Sequence, residues 1–189
     1  GYIFPDQLPP LAQDLLFLES YKEQVELKNG KTVLFRPLLP SDEFEYRNFF
    51  YSLKKQTIYW RFFYERKIFS HEVIQGEYGD IDYRRDMFLI GMVQHKRHQQ
   101  IIALATYMDA GDHRAEIAFV VHEEYQGLGI GTYLLSRLEH IARENGFKGF
   151  VATTLRENTS MQKVFTNRYP DARKVQDGSM VEIYMNFHG

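Results

Sequence analysis

The residues whose types and spacing bear most directly on chemistry are Val121-His122-Glu123-Glu124-Tyr125-Gln126-Gly127-Leu128-Gly129-Ile130-Gly131-Thr132. Glycines at 127, 129 and 131 lack a Cβ, so positive φ is cheap and a ligand can approach the backbone closely. At the start of a helix, their amides and the helix dipole would make a seat for phosphate oxygens. Two nucleotide-binding patterns fail on named residues. A P-loop ends in Gly-Lys-Ser/Thr, and here Gly131 is followed directly by Thr132. A dinucleotide fingerprint needs a glycine three positions after Gly129, where Thr132 stands. It also needs an acid about 20 residues on, and residues 149–152 carry none. A turn that only reverses the chain does not need three alternating glycines.

Such a loop has to be held between a strand and a helix, and the flanking patterns predict both. Residues 114–121 read as a strand, almost wholly apolar after Glu116. Residues 129–145 read as a long helix with Leu134, Leu135, Leu138, Ile141 and Ala142 on one stripe, ended by Asn145-Gly146. Upstream, residues 87–94 and 100–108 form two apolar runs across the polar stretch 95–99, a hairpin. Downstream come a strand at 148–153, a helix at 158–167, and strands at 172–176 and 180–187 across Asp177-Gly178. Nearer the start, Asn29-Gly30 between alternating runs predicts a type I′ hairpin. Ser41-Asp42-Glu43 predicts a helix to about Ser52, residues 56–64 a second, and Ser70-His71-Glu72 the cap of a third. The order predicts a mixed α/β sheet in which 114–121, the long helix and 148–153 form a βαβ crossover.

A chain of 189 residues is one domain plus trimmings. With 44% hydrophobic and 25% charged residues it has the composition of a globular protein, not a disordered one. A net charge of −2 supplies no basic field for nucleic acid or an anionic membrane. The absence of cysteine excludes disulfides, thiolate metal sites and cysteine nucleophiles. His95 and His98 stand at i, i+3 without nearby acids, so no metal site is expected. Lys96-Arg97 and Glu123-Glu124 read as solvated turns. No apolar run nears the roughly 20 residues of a membrane span, and no signal peptide is visible, so a cytoplasmic setting is expected. Residues 1–20, with prolines at 5, 9 and 10 ahead of an apolar stretch at 11–18, read as a linker and docking helix. Opening on Gly1 rather than Met, the chain is expected to be a piece of a longer one, with its domain at 21–189.

The stretch Gln126-Gly127-Leu128-Gly129-Ile130-Gly131 matches Gln/Arg-x-x-Gly-x-Gly/Ala, and with it the sequence resembles the GCN5-related N-acetyltransferases (GNAT) over about residues 24–188. That family's second signature, an Asn after the next strand and an aromatic seven positions on, is matched by Asn158 and Phe165. The resemblance implies an α/β (α+β) fold, a mixed, mostly antiparallel sheet flanked by helices. It implies acetyl-CoA as cosubstrate, with no metal. Coenzyme A would be held by main-chain groups of Phe119, Val120 and Val121, by Gln126, Gly127, Leu128, Gly129, Ile130, Gly131 and Thr132, and by Asn158, Met161 and Phe165. More narrowly, residues 59–63, 81–87 and 115–119 resemble the acetyltransferase module of bacterial Pat-type protein-lysine acetyltransferases, commonly fused to a larger sensing region. Ten aromatics lie between Phe44 and Tyr64. They read mainly as core, but the helices carrying them flank the acceptor cleft in this family, so Tyr59 or Tyr64 is expected to line it.

Acetyl transfer to an amine must first deprotonate it. A lysine of pKa about 10.4 costs on the order of 4 kcal/mol to neutralise near neutral pH. Glu116, ten residues before Gln126 and followed by apolar residues, is the candidate base, expected to be buried beside Ile117, Ala118 and Phe119 and so raised in pKa. In Pat-type members a glutamate at this position has that role. The competing reading is a carboxylate paired with Arg114. Phe165 stands where many members have a tyrosine that protonates the leaving thiolate, and Tyr169 is the nearest phenol in sequence. Coenzyme A thiol, with a pKa near 8–9, can leave without such an acid. The reading is therefore an acetyl-CoA-dependent N-acetyltransferase, by direct attack in a ternary complex, on a protein lysine. The alternatives are transfer to a small-molecule amine and a non-catalytic acyl-CoA sensor attached to another enzyme.

Overall fold

Alternating side chains at Val25, Val33 and Phe35 build the first hairpin of the computed structural model, which describes residues 18–63, 72, 74, 76, 81–83 and 85–189. Strands β1 (Glu23–Glu26) and β2 (Thr32–Pro37) pair antiparallel. The expected type I′ turn does not form, because Gly30 alone takes positive φ, at 83°. Leu27 N–H donates to the Lys31 carbonyl at 2.8 Å, Gly30 N–H to the Leu27 carbonyl at 2.9 Å, and Lys31 N–H to Asn29 Oδ1 at 3.0 Å. These bonds close a three-residue connection with a left-handed glycine at its end.

Helices α1 (Glu43–Ser52) and α2 (Lys55–Phe62) follow. Asp42 stands at the helix start as expected, as the N-cap residue of α1, but its carboxylate does not cap the helix: it accepts both Arg36 Nη groups at 2.7 and 2.8 Å, and Leu39 N–H at 2.7 Å. The second helix stops before its expected end, since Phe63 turns to φ 66°. Tyr64, the cap at Ser70-His71 and residues 1–17 of the expected linker lie outside the described residues. Leu18 is buried and its carbonyl accepts Tyr21 N–H.

Strands β3 (Met87–His95) and β4 (His98–Gly111) run longer than their apolar cores, leaving only Lys96 and Arg97 as the turn. Then come β5 (Arg114–Val121), α3 (Ile130–Glu144), β6 (Gly149–Leu155), α4 (Thr159–Arg168), β7 (Arg173–Asp177) and β8 (Met180–Asn186). The last turn is Gly178-Ser179, with Gly178 at φ 61°, one residue later than Asp177-Gly178. The eight strands are ordered β1-β2-β3-β4-β5-β6-β8-β7, antiparallel throughout except for β5 with β6. That pair is the βαβ crossover, with α3 between its strands.

Each face of the sheet carries a core. The stripe Leu134, Leu135, Leu138, Ile141 and Ala142 of α3 packs on one face, against Phe35, Ile117 and Phe119 among others. Burying each such side chain is worth about 1.5–3 kcal/mol. On the other face, Tyr46, Phe49 and Phe50 of α1 pack with Leu38, Ile58, Leu104 and Val120. Those aromatics are core, as expected, while Phe44 and Tyr51 are exposed. Alternation along β5 sends Ala115, Ile117 and Phe119 to the α3 face and Val120 to the other. Glu116 and Ala118 share the Val120 side.

Candidate active site

The parallel ladder between β5 and β6 ends early. Its last rung is Ile117 with Ala152, although β5 continues to Val121 and β6 to Leu155. Beyond that rung the two strands face each other across a gap, and a cleft of about 780 Å³ opens there. Residues 117–121 of β5 and 152–154 of β6 line its sides. His122 N–H donates to the Ile102 carbonyl at 2.8 Å, so even-numbered residues of this stretch bond towards β4. The main-chain groups of Phe119 and Val121 consequently point into the gap. The Val121 carbonyl is occupied by Gln126 Nε2 at 3.0 Å.

The glycine loop lies at the mouth of this gap. Gly127 and Gly129 hold φ of 76° and 88°, and Gly129 is the N-cap of α3. No side chain caps that helix, and its first turn contains no acid. Tyr133 N–H is the first helix amide bonded within the helix, to the Gly129 carbonyl at 3.0 Å. The amides of Ile130, Gly131 and Thr132 therefore stand at a positive helix end with no carboxylate to satisfy them.

All but one of the anticipated coenzyme A residues line the cleft: Phe119, Val120, Val121, Gln126, Gly127, Gly129, Ile130, Gly131, Thr132, Asn158, Met161 and Phe165. Leu128 instead turns against the α3-face core. Asn158 is buried and caps α4, its Oδ1 accepting Met161 N–H at 3.2 Å. Phe165 is buried with its ring 5.9 Å from that of Phe119, filling the floor of the gap.

Glu116 lies one residue before the vertex of the gap and also lines the cleft. The expected burial is absent: its side chain is exposed. Its sequence neighbours Ala115 and Ile117 point to the opposite face, so the apolar run that follows it cannot cover it. Nor does it pair with Arg114, which donates to the carbonyls of Phe150 at 3.0 Å and Met185 at 2.9 Å, and to Asn186 Oδ1 at 2.5 Å. Met108 of β4 and Val151 of β6 are its register neighbours.

Another side of the cleft is walled by α2. Gln56, Thr57, Trp60 and Arg61 line it, and the exposed Tyr59 does not, so the expected aromatic is displaced by one residue of helical phase. The Trp60 Nε1–H is buried and has no partner among the described residues. Glu123 is not the solvated turn residue expected. Its Oε1 accepts Lys54 N–H at 2.7 Å, at the N-terminus of α2. Burial alone would raise its carboxyl, but hydrogen bonds from Thr57 and the Lys54 amide outweigh that and hold it below the ordinary range. The carboxylate thereby fastens the segment before the glycine loop to the N-terminus of α2.

Tyr169 does not line the cleft; its hydroxyl donates to Glu139 of α3. Burial and that bond push the phenol above its ordinary value. His95 and His98 have ring centroids 5.9 Å apart, and no group of three metal-ligating side chains occurs among the described residues. No described helix is long and apolar enough to cross a membrane. Lys28, Thr57, Trp60 and Thr106 line the cleft without having been anticipated. Only their placement in three dimensions identifies them.

Residues 53–168 match the Acetyltransferase (GNAT) family, and the chain belongs to it. It is thus an N-acetyltransferase that uses acetyl-CoA. It is 29% identical over 137 residues to acetyltransferase PA5475 of Pseudomonas aeruginosa, covering 72% of this chain and 73% of that one. It is 30% identical over 161 residues to acetyltransferase Pat of Mycolicibacterium smegmatis, covering 84% of this chain but 47% of the relative. In fold it is similar to the GNAT domain of S. lividans PAT, with a TM-score of 0.78, 23% identity, and coverage of 89% of this chain and 98% of that one. It is also similar to yncA of Salmonella typhimurium, solved with acetyl-CoA, at a TM-score of 0.62 and 15% identity over 82% of this chain and 93% of that one.

Proposed function

We propose that the chain transfers acetyl from acetyl-CoA to the ε-amine of a protein lysine by direct attack in a ternary complex, with Glu116 as general base. The observation that carries this reading is the gap between β5 and β6, with a helix end that no side chain caps at its mouth and, beside its vertex, a carboxylate that has no partner among the described residues. Pantetheine would lie in the gap as an added strand, paired with the main-chain groups of Phe119 and the N–H of Val121, whose carbonyl is held by Gln126. Amides 130–132 would hold the diphosphate. The thioester would then stand at the vertex, next to Glu116.

Glu116 takes a proton from the lysine ammonium, and the neutral amine nitrogen then attacks the thioester carbonyl to form the C–N bond. The tetrahedral intermediate collapses with loss of the coenzyme A thiolate, its second N–H proton passing to solvent. Phe165 has no proton to give, and Tyr169 is engaged with Glu139, so solvent protonates the thiolate. Met108, 45% exposed beside Glu116, and Trp60 of the α2 wall give the cleft apolar surface suited to the methylene stem of lysine. The similarity to M. smegmatis Pat supports the lysine acceptor. The chain spans about half of that relative. We read residues 1–20 as linker and docking helix from a fused upstream region, 21–189 as the acetyltransferase domain, and the setting as cytoplasmic.

The test is initial-rate kinetics with acetyl-CoA and a lysine peptide varied together, following free thiol. A ternary complex gives intersecting double-reciprocal lines. Parallel lines indicate an acetyl-enzyme and overturn direct attack. Turnover with small amines but no peptide overturns the lysine assignment, and no turnover with either leaves an acyl-CoA sensor.

A further inference from the structure

The loop that faces the diphosphate brings no cation of its own. Residues 122–133 contain Glu123 and Glu124 and neither lysine nor arginine. Gln126, its long neutral side chain, is turned back onto the Val121 carbonyl. Arg137, farther along α3, is 3.6 Å from Glu23 Oε2. Among the described residues that line the cleft, only Lys28 and Arg61 carry permanent positive charge. Arg61 lies over the Phe62 ring near the far end of α2, roughly 10 Å along the helix from the end that Glu123 holds.

Lys28 stands at the mouth. Its Cε is 3.6 Å from the point a Cβ on Gly129 would occupy. The side chain is exposed, and among the described residues its ammonium has no hydrogen-bond or ion-pair partner. The turn that presents it is fixed by the Leu27–Lys31 backbone bond and the Asn29 side chain. Lys31, in the same turn, places its ammonium 5.2 Å from the Tyr125 ring centroid, docking the turn on the loop.

We propose that Lys28 supplies the positive charge that binds the diphosphate of acetyl-CoA, making it a specificity-determining residue delivered to the glycine loop by the β1–β2 turn. This rests on the placement of acetyl-CoA given under Proposed function. A flexible ammonium is suited to the role, a point charge following phosphate oxygens that the amides 130–132 orient.

The experiment is calorimetric titration of wild type, Lys28→Ala, Lys28→Arg and Lys148→Ala with coenzyme A and with dephospho-coenzyme A, which keeps the diphosphate and lacks the 3′-phosphate. Lys148 is exposed at the opposite end of β6 and controls for net charge. Lys28→Ala should weaken both ligands by about 5- to 20-fold, between the worth of an exposed ion pair and that of a charge-assisted hydrogen bond. Lys28→Arg should stay within about threefold, and Lys148→Ala within about twofold, of wild type. The ligand-free melting temperature of Lys28→Ala should match wild type, because the side chain touches solvent. A Lys28→Ala protein that binds dephospho-coenzyme A like wild type overturns the proposal, whether or not its coenzyme A affinity falls through the 3′-phosphate. Wild-type protein that binds no coenzyme A overturns the cofactor placement itself, a different failure from a variant matching a binding wild type.

Discussion

Gly129 and Gly131 stand two residues apart in one loop, yet their backbones ask different things of a side chain. Gly129 holds φ 88° as the N-cap of α3, while Gly131 lies within the helix without positive φ. A Cβ on Gly129 would have Lys28 Cε as neighbour at 3.6 Å, and one on Gly131 would have Val164 Cγ2 at 3.8 Å, both ordinary contacts. Crowding is therefore excluded at both positions and the difference is conformational. Alanine in the left-handed region costs about 1–2 kcal/mol. Alanine in a helix gains up to about 1 kcal/mol over glycine, less in a first turn. In a chain of this size each kcal/mol moves the melting temperature by about 2–4 °C. Gly129→Ala should then melt about 2–8 °C below wild type, and Gly131→Ala at or slightly above it. Scanning calorimetry of the three ligand-free proteins reads this directly. Equal losses in both variants, or a Gly129→Ala protein melting with wild type, would refute the claim that the glycine at 129 serves a left-handed helix cap.

Two further outcomes follow from the hydrogen bonds around the cleft. Glu123→Gln should cost about 1 kcal/mol, since the neutral amide still accepts from Lys54 N–H but without charge. The wild-type carboxyl titrates below its ordinary value when folded, so its contribution is present above the unfolded pKa of about 4.3 and is lost as pH falls through the depressed folded value. The gap in melting temperature between the two proteins should therefore narrow from about pH 6 to about pH 3; a gap constant with pH contradicts the charged bond. Tyr169→Phe should leave kcat within about twofold and lower stability by about 1 kcal/mol, because its hydroxyl serves Glu139 outside the cleft. A tenfold fall in kcat at unchanged KM would make Tyr169 the missing acid.

The element order and the glycine loop were legible in the sequence because both rest on local signals. Period-2 and period-3.6 patterns marked the strands and α3, and the glycines marked the helix start. The gap was not legible in the residue pattern, since β5 stays apolar past Ile117 and nothing in the pattern says where pairing stops; only the family resemblance, which set main-chain groups around Phe119 and Val121 against coenzyme A, pointed to it. The apolar run after Glu116 misled for a physical reason: alternate residues of a strand face opposite ways, so neighbours in sequence do not bury one another. Glu123 was read as solvated because its partner, the Lys54 amide, lies 69 residues away. Tyr59 lost its place to Trp60 by one residue of helical phase. Lys28 sits in a turn that a local reading sees only as a hairpin loop.

The measurement closest to the central claim is the rate of acetyl transfer to a lysine peptide by wild type and Glu116→Gln from about pH 7 to pH 10, with coenzyme A affinity measured on both. Glutamine keeps the shape but loses the basic oxygen, and the cofactor is assigned to main-chain groups farther along, so affinity should be unchanged. Near neutral pH the rate should fall by about 10²–10⁴, the usual worth of a positioned base. The deficit should shrink as pH approaches the lysine pKa of about 10.4, where the acceptor is already neutral. A Glu116→Gln protein that turns over as fast as wild type near neutral pH contradicts the account.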